Sequence, residues 1–458
     1  MNTEPTAKRP SWRRVLRWTV LIALGVFVVV VVAGAVWGYV VAGQLREEVA
    51  KIQAAGEPLT FTDLDADRPE VKEGDDAGRY YQAALALVRH EDSEEIWDAG
   101  RAYRDALSEI PTSRPADDVV QEVNRLLADN ELALDMLDRG AERSGCRFDM
   151  GIEQGIAVCM ERLSQARRAV RLVSLRTLVR ASKGDGDGAT DSAISLIRMA
   201  RMFDHHPVMI VHLVKVACLA LASQDTEIVL ERGQPAEASL QNLQQVLLSV
   251  QLGEDLSRVA LAERVYGLQL MRDQINPSLG KAALADQGSG ALPERWPPAG
   301  FWNPPGRWMA VAYLRELAEL VSASRQPWPQ VLGAMEGVGS ESSSFFPGQS
   351  PSFARAAVLT GKTMAFTRSA LVSVMIERYR RANGKLPDAL GALVPTYTKS
   401  LPLDPFTGTD LLYRHEEQSY VVYSVGENRT DDQGDVDSKE KSRRLIDVGI
   451  RIHLPRSR

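Results

Sequence analysis

Residues 401–414 read LPLDPFTGTDLLYR, and they follow NGKLPDALGALVP at 383–395. Asp404 stands before Pro405, so its carboxylate can accept backbone N–H bonds while the proline ring holds the next φ, and Gly408 lets the chain reverse. The stretch reads as a connector from helix to sheet. On its N-terminal side a long helix is expected from Phe353 to about Asn383, with Leu371, Val374, Met375 and Arg378 on successive turns and Gly384 as a left-handed cap. On its C-terminal side LLYR, YVVYSV and RLIDVGIRIHL carry strand signals. The last of these alternates Leu445, Asp447, Gly449 and Arg451 against Ile446, Val448, Ile450 and Ile452, the pattern of a strand packed on one face.

Upstream of this module the chain reads as helix. Asp75 or Asp76 can cap a helix carrying Tyr80, Tyr81, Ala84, Leu85 and Val88, and Pro115 is placed to open another that runs to Gly140. Met160, Leu163, Ala166, Val170, Val173 and Leu178 trace one face of a long helix that stops at KGDGDG. Ala193, Leu196, Ile197 and Ala200 mark the next helix, which HHP ends. VMIVHLVKVACLALAS is apolar nearly all round, the mark of a helix buried among others; His212 and Lys215 interrupt it, and it is too short for a second membrane span. Further helices are expected over 235–275 and 309–323. Between them Trp296, Trp302 and Trp308 lie among prolines, where they would pin a loop across the core or, alternatively, form a binding platform. Helices joined by short Gly, Asp and Pro turns make antiparallel hairpins, and these stack into bundles or solenoids. No fixed period is present, so a tetratricopeptide-like array is suggested by shape and not by consensus.

At 458 residues the chain is long enough for two or three domains. With 45% hydrophobic and 25% charged residues, neither wholesale disorder nor a multi-span membrane protein is indicated. The formal net charge of −6 argues against nucleic acid as the partner. Residues 18–43 carry no charge, more than the about 20 apolar residues that a bilayer core requires. Lys8, Arg9, Arg13, Arg14 and Arg17 precede them, and the positive-inside bias keeps this end cytoplasmic and sends the rest outward. The expected layout is a basic cytoplasmic tail (1–17), a transmembrane anchor (18–43), a helical ectodomain (44–338), a Ser/Gly/Pro linker (339–352) and an α+β domain (353–458). A cleaved signal peptide is the competing reading, with Ala33, Gly34 and Ala35 as the small residues at its cut. Cys146, Cys159 and Cys218 would then face an oxidising compartment. Two readings are open for them: a Cys146–Cys159 bridge, or three buried small apolar side chains.

The order Tyr379, Asn383-Gly384-Lys385-Leu386-Pro387, Leu390, Leu393, Val394, Leu401-Pro402, Asp404-Pro405-Phe406, Gly408, Tyr413, Tyr420 and Tyr423-Ser424-Val425-Gly426 resembles the globular head of type II secretion major pseudopilins. That resemblance covers residues 366–450, about a fifth of the chain, and implies a long helix packed on a small antiparallel sheet. It also implies calcium in the loop after the Ser-Val-Gly turn. Here that loop offers Asp431, Asp432, Asp435 and Asp437, with Asp447 as the closing acid, and it departs by inserting DSKEKSRR, whose cations compete with a metal. The anchor has no glutamate and does not lead into the head helix, so pseudopilus assembly by the family's route is not implied. AAGEPLTFTDL, DDAGRYYQAAL and GCRFDMGIEQG, with the helices after them, resemble membrane-anchored proteins common in planctomycetes, many of which end in the same tail, a group that brings no activity with it.

Several motifs carry little. AAVLTGKT, 356–363, has alanine where a phosphate-binding loop has its first glycine, and it lacks the preceding strand, so no nucleotide is expected. His205, His206 and His212 do not repeat as a helical zinc pair would. No G-x-S-x-G elbow occurs. The sequence is therefore read as a mainly α, single-pass protein of the cytoplasmic membrane. It lacks a catalytic constellation, and its ectodomain is expected to be a scaffold for envelope protein partners. The alternatives are an accessory component of a type II secretion or pilus-like system, and an envelope hydrolase with a site near the tryptophan loop.

Overall fold

The computed structural model describes residues 12–66, 68, 70–89, 93–108, 114–205, 207–275, 304–338, 349–436 and 447–454. Its helices are α1 (Trp12–Ala54), α2 (Phe61–Ala66), α3 (Gly78–Leu87), α4 (Ser93–Ser108), α5 (Asp117–Asp129), α6 (Glu131–Ala141) and α7 (Ile156–Ser182). They continue as α8 (Gly186–Met199), α9 (Met209–Ile228), α10 (Glu237–Leu248), α11 (Asp255–Ile275), α12 (Pro304–Ser324), α13 (Gln330–Gly337) and α14 (Gln349–Asn383). Strands β1 (Leu412–His415), β2 (Ser419–Ser424) and β3 (Val448–His453) close the chain as an antiparallel sheet in the order β1-β2-β3. The fold is thus mainly helical with a small terminal sheet. Residues 1–63 with 264–316 form one compact unit, and residues 64–263 with 317–458 form a second.

In the first unit α1 has two parts. Its apolar part, with a mean hydropathy of 2.9, is long and apolar enough to cross a membrane. Exposed Trp18 and Trp37 are separated by about 28 Å of helix at 1.5 Å per residue, close to the about 30 Å of a bilayer core, where interfacial aromatics mark the boundaries. Beyond them Val41, Leu45, Val49 and Ile52 form a stripe that packs with Leu59, Leu268, Ala310, Val311 and Leu314. Each fully buried Leu or Ile contributes about 1.5–3 kcal/mol. Arg264, nearly without solvent contact, is neutralised by Glu57 at 2.6 Å and also donates to the Pro58 carbonyl at 3.1 Å.

The second unit is built around α7 and α9, both buried on most of their circumference. α7 packs on α4, α8 and α9. The KGDGDG turn does three things. Gly184 has φ +75°, which ends α7; the Asp185 carboxylate accepts from Gly188 N at 3.0 Å and caps α8; and Asp187 Oδ1 accepts from Ala236 N at 2.7 Å and from Ser239 Oγ at 2.6 Å at the start of α10. Gly186 lies against the Gly233 backbone so closely that a Cβ would overlap the Gly233 carbonyl. On α9, Lys215 is buried between Asp204 at 2.7 Å and Asp255 at 2.6 Å. Both interruptions of the apolar segment therefore have partners inside the protein, since His212 Nε2 is 2.9 Å from Thr360 Oγ1.

Several boundaries differ from the sequence reading. The helix expected from Pro115 to Gly140 is two helices, because Asn130 breaks it: its side chain accepts from Arg89 N at 3.1 Å and donates to the Leu126 carbonyl at 2.9 Å. Met160 is exposed, while Leu163, Ala166, Val170, Val173 and Leu178 are buried. α14 starts at Gln349, inside the stretch read as linker, and 339–348 lie outside the described residues. All three cysteines are free thiols, so the Cys146–Cys159 bridge is not formed. Burial pushes the thiols of Cys146 and Cys218 up to about 12 and that of Cys159 to about 11.

Candidate functional site

The terminal sheet and α14 supply the most elaborated polar constructions in the second unit. Every residue of β2 is buried, and α14 packs on β2 and β3. Tyr420 donates to Glu377 Oε1 at 3.1 Å, and Glu377 in turn pairs with Arg380 at 2.7 Å. Burial, reinforced by the Glu377 charge, holds the Tyr420 phenol well above its ordinary range. Asp404, 2% exposed, is the bolt of the connector. Its Oδ1 accepts from Phe406 N and Ser424 Oγ, both at 2.7 Å, and Oδ2 accepts from Val425 N at 3.2 Å. The turn expected at Asp404-Pro405 is thereby tied to the end of β2, and Gly408 has the positive φ, +76°, expected of it.

The acidic loop rests on β2, since a Cβ on Gly434 would meet Val421 Cγ1 at 2.9 Å. Asp431 Oδ1 accepts from Tyr423 OH at 3.0 Å and from Gln433 N at 2.8 Å. Asp432 Oδ2 accepts from Asn428 Nδ2 at 2.9 Å. Asp447 uses both oxygens on the backbone, accepting from Asp432 N at 3.3 Å and Gly434 N at 2.7 Å. Burial raises its pKa, as does the proximity of Asp432 and Asp431, against those two bonds. Arg414 donates to the Gln433 carbonyl, and Arg451 donates to the Gly434 carbonyl at 2.8 Å. Thus Asp431, Asp432 and Asp447 come together in one loop, where Asp431 and Asp432 each turn one oxygen and Asp447 both onto protein donors, while guanidinium groups hold two loop carbonyls. Calcium needs six to eight oxygen ligands. Among the described residues no group of three or more His, Cys, Asp or Glu is arranged to hold a metal. Asp435 is exposed in the same loop, and Asp437 lies outside the described residues.

α14 faces the helical body with its other side, against α9 and α10. Arg378 donates to Glu237 Oε1 at 2.7 Å and Gln244 Oε1 at 2.6 Å, and its guanidinium stands 5.1 Å from the Tyr397 ring centroid. Gln244 donates to the Tyr397 carbonyl at 2.7 Å, and His453 N and Nδ1 reach Glu231 Oε1 at 2.9 and 2.7 Å. Helix, connector and sheet are each bonded to the body.

The residues of AAVLTGKT lie inside α14, and all but the exposed Leu359 are buried or half-buried. Gly361 leaves room for Trp328 and Phe406, whose rings would stand 2.9 and 3.1 Å from a Cβ there. Thr360 bonds His212, and Lys362 pairs with Glu427 at 2.8 Å. Trp328, which sequence reasoning passed over, also donates to the Gly253 carbonyl at 3.2 Å. Its prolines on either side were the signal that could have found it. Of the tryptophans that were singled out, Trp308 lies on α12, while Trp296 and Trp302, like His206, are outside the described residues. An open groove of about 550 Å³ is lined by Glu319, Ser322, Gln326 and Gln330 on its polar side and by Ala323, Ala334 and Val338 on its apolar side. Comparison of the chain with protein-family models, with curated proteins and with solved structures finds no match.

Proposed function

We propose that this is a non-enzymatic, membrane-anchored envelope protein whose helical ectodomain acts as an interaction scaffold capped by a pseudopilin-like head. In this reading the basic N-terminus is cytoplasmic, α1 holds the chain in the cytoplasmic membrane, and both units work outside it. The observation that carries it is the double burial of α14, with the sheet on one side and α9 and α10 on the other. Such a head is a rigid part of the body, which suits a scaffold that must present fixed surfaces.

The test is crosslinking in living cells followed by capture through a C-terminal tag. The scaffold reading expects defined envelope proteins joined to the ectodomain under conditions where the anchor alone, residues 1–54, captures none. Secretion or pilus subunits in the capture would replace it with an accessory role in such a machine. Capture of no protein partner would overturn it.

A further inference from the structure

α7 reads QARRAVRLVS over 165–174, and three arginines in that run make no ion pair among the described residues. Arg167 is exposed. Arg168 is 5% exposed, and its Nε has no hydrogen-bond partner. Arg171 is half-buried, with its guanidinium 4.0 Å from the ring centroid of Trp97 on α4. Arg101 covers the same ring at 4.9 Å. Burial, and then the Arg167 charge, lower the pKa of Arg171. Of the described acids on these two helices, Asp98 pairs with Arg101 at 3.4 Å, Glu161 accepts from Gln165 at 3.0 Å, and Asp105 is exposed. In a chain of net charge −6, Arg167 and Arg171 thus stand without a carboxylate partner among the described residues, beside an aromatic ring that is 45% exposed.

The face is also held in place. Arg104, two turns along α4 from Trp97, donates to Ser174 Oγ at 2.8 Å and to the buried Asp225 carboxylate at 2.5 Å, and Tyr103 bonds Ser182 at 2.8 Å. α4 is therefore fixed on α7, and the guanidiniums stacked on Trp97 are oriented before any ligand arrives. We propose that the face formed by Trp97, Arg101, Arg167 and Arg171 docks an acidic polypeptide segment of a partner protein. Guanidinium forks match carboxylates in pairs, and the indole accepts the apolar stems of glutamate side chains. Tryptophan and arginine are also the residues that concentrate energy at the centre of protein interfaces. The proposal rests on the scaffold reading and names the chemistry of its partner.

The test uses the full chain in detergent and a fluorescein-labelled peptide of alternating glutamate and alanine, read by fluorescence anisotropy. Binding is expected to weaken by about tenfold or more in Arg167→Gln/Arg171→Gln and in Trp97→Ala, and with added salt. Arg139→Ala, which removes an exposed arginine on α6, should change nothing. No binding by the unaltered chain, or equal binding by Arg167→Gln/Arg171→Gln, overturns the proposal. So does a double variant that loses binding only to vesicles of anionic lipid. A photo-crosslinking residue at position 97 in cells separates this failure from that of the scaffold. Silence there, with adducts elsewhere on the ectodomain, refutes the docking face alone; silence everywhere refutes both.

Discussion

Replacing His212 by glutamine should remove much of the acid sensitivity of the second unit. Thr360 Oγ1 donates to the Ala356 carbonyl at 2.7 Å, so it accepts from His212 Nε2–H, at 2.9 Å. An added proton must go to Nδ1, which is buried and has no hydrogen-bond partner. Burial first, and the Lys215 ammonium second, push the pKa from 6.5 down to about 3. The unfolded chain takes up a proton near 6.5 that the folded chain refuses until about 3, so stability falls as the pH drops below the unfolded value. The loss grows by about 1.4 kcal/mol per pH unit and amounts to about 2 kcal/mol between about pH 8 and about pH 5. Glu263 and Asp255, whose pKa values burial raises, act with the opposite sign because they hold protons more readily when folded. The informative quantity is therefore the difference between the two proteins. Urea unfolding followed by circular dichroism at about pH 8, 6.5 and 5 measures it. A variant that loses as much stability on acidification as the unaltered chain would refute the linkage.

Arg104→Ala strands the Asp225 carboxylate, which has no solvent contact, and should cost about 3–5 kcal/mol, read as a lower urea midpoint; a change below about 1 kcal/mol would mean that the pair is relaxed in solution. Gly186→Ala should cost about 1–3 kcal/mol, because its Cβ must displace the Gly233 backbone, and an unchanged thermal midpoint would contradict the close approach of those segments. Millimolar calcium should leave the melting temperature of the full chain unchanged, since Arg414 and Arg451 already hold the loop carbonyls. A rise of several degrees that Asp447→Asn abolishes would show that the loop reorganises around the ion.

What could be read from the sequence was whatever has a local cause. The apolar run of α1, the all-round apolarity of α9 and the order of helix, Asp-Pro turn and strands in the terminal module are set by neighbours a few residues apart. The Asp404 turn was legible for that reason, although its bond to Ser424 was not. The joining of 1–63 with 264–316 has no local mark, because Val41, Leu45, Val49 and Ile52 make the same stripe whatever covers them. Asn130 was missed because an amide suits a helix interior poorly but does not forbid it, and the break is settled by the Arg89 N–H that its side chain accepts. In the acidic loop the carboxylates could be counted, but their direction could not: Asp447 turns inward onto two backbone N–H groups.

The packing of α14 constrains how any partner can use the head. A helix covered by a sheet on one face and by α9 and α10 on the other has little apolar surface left to offer. Its polar edge is committed as well, because Arg378 bonds Glu237 and Gln244 while Arg380 bonds Glu377. Docking at the terminal sheet would then use the edge strand β1, where unpaired backbone groups can extend the sheet, because β3 lies against α9 and its His453 N is bonded to Glu231. The basic face on α4 and α7 has no such restriction, because Arg167 and Arg171 make no ion pair among the described residues. If both surfaces are used, they are held at a fixed separation by one unit, since α14 and α7 both pack on α9. A deletion of residues 349–458 would consequently expose α9 and α10 and collapse the unit, whereas Trp97→Ala removes one contact and leaves the frame standing. Only the second kind of change can distinguish a docking face from the scaffold that holds it.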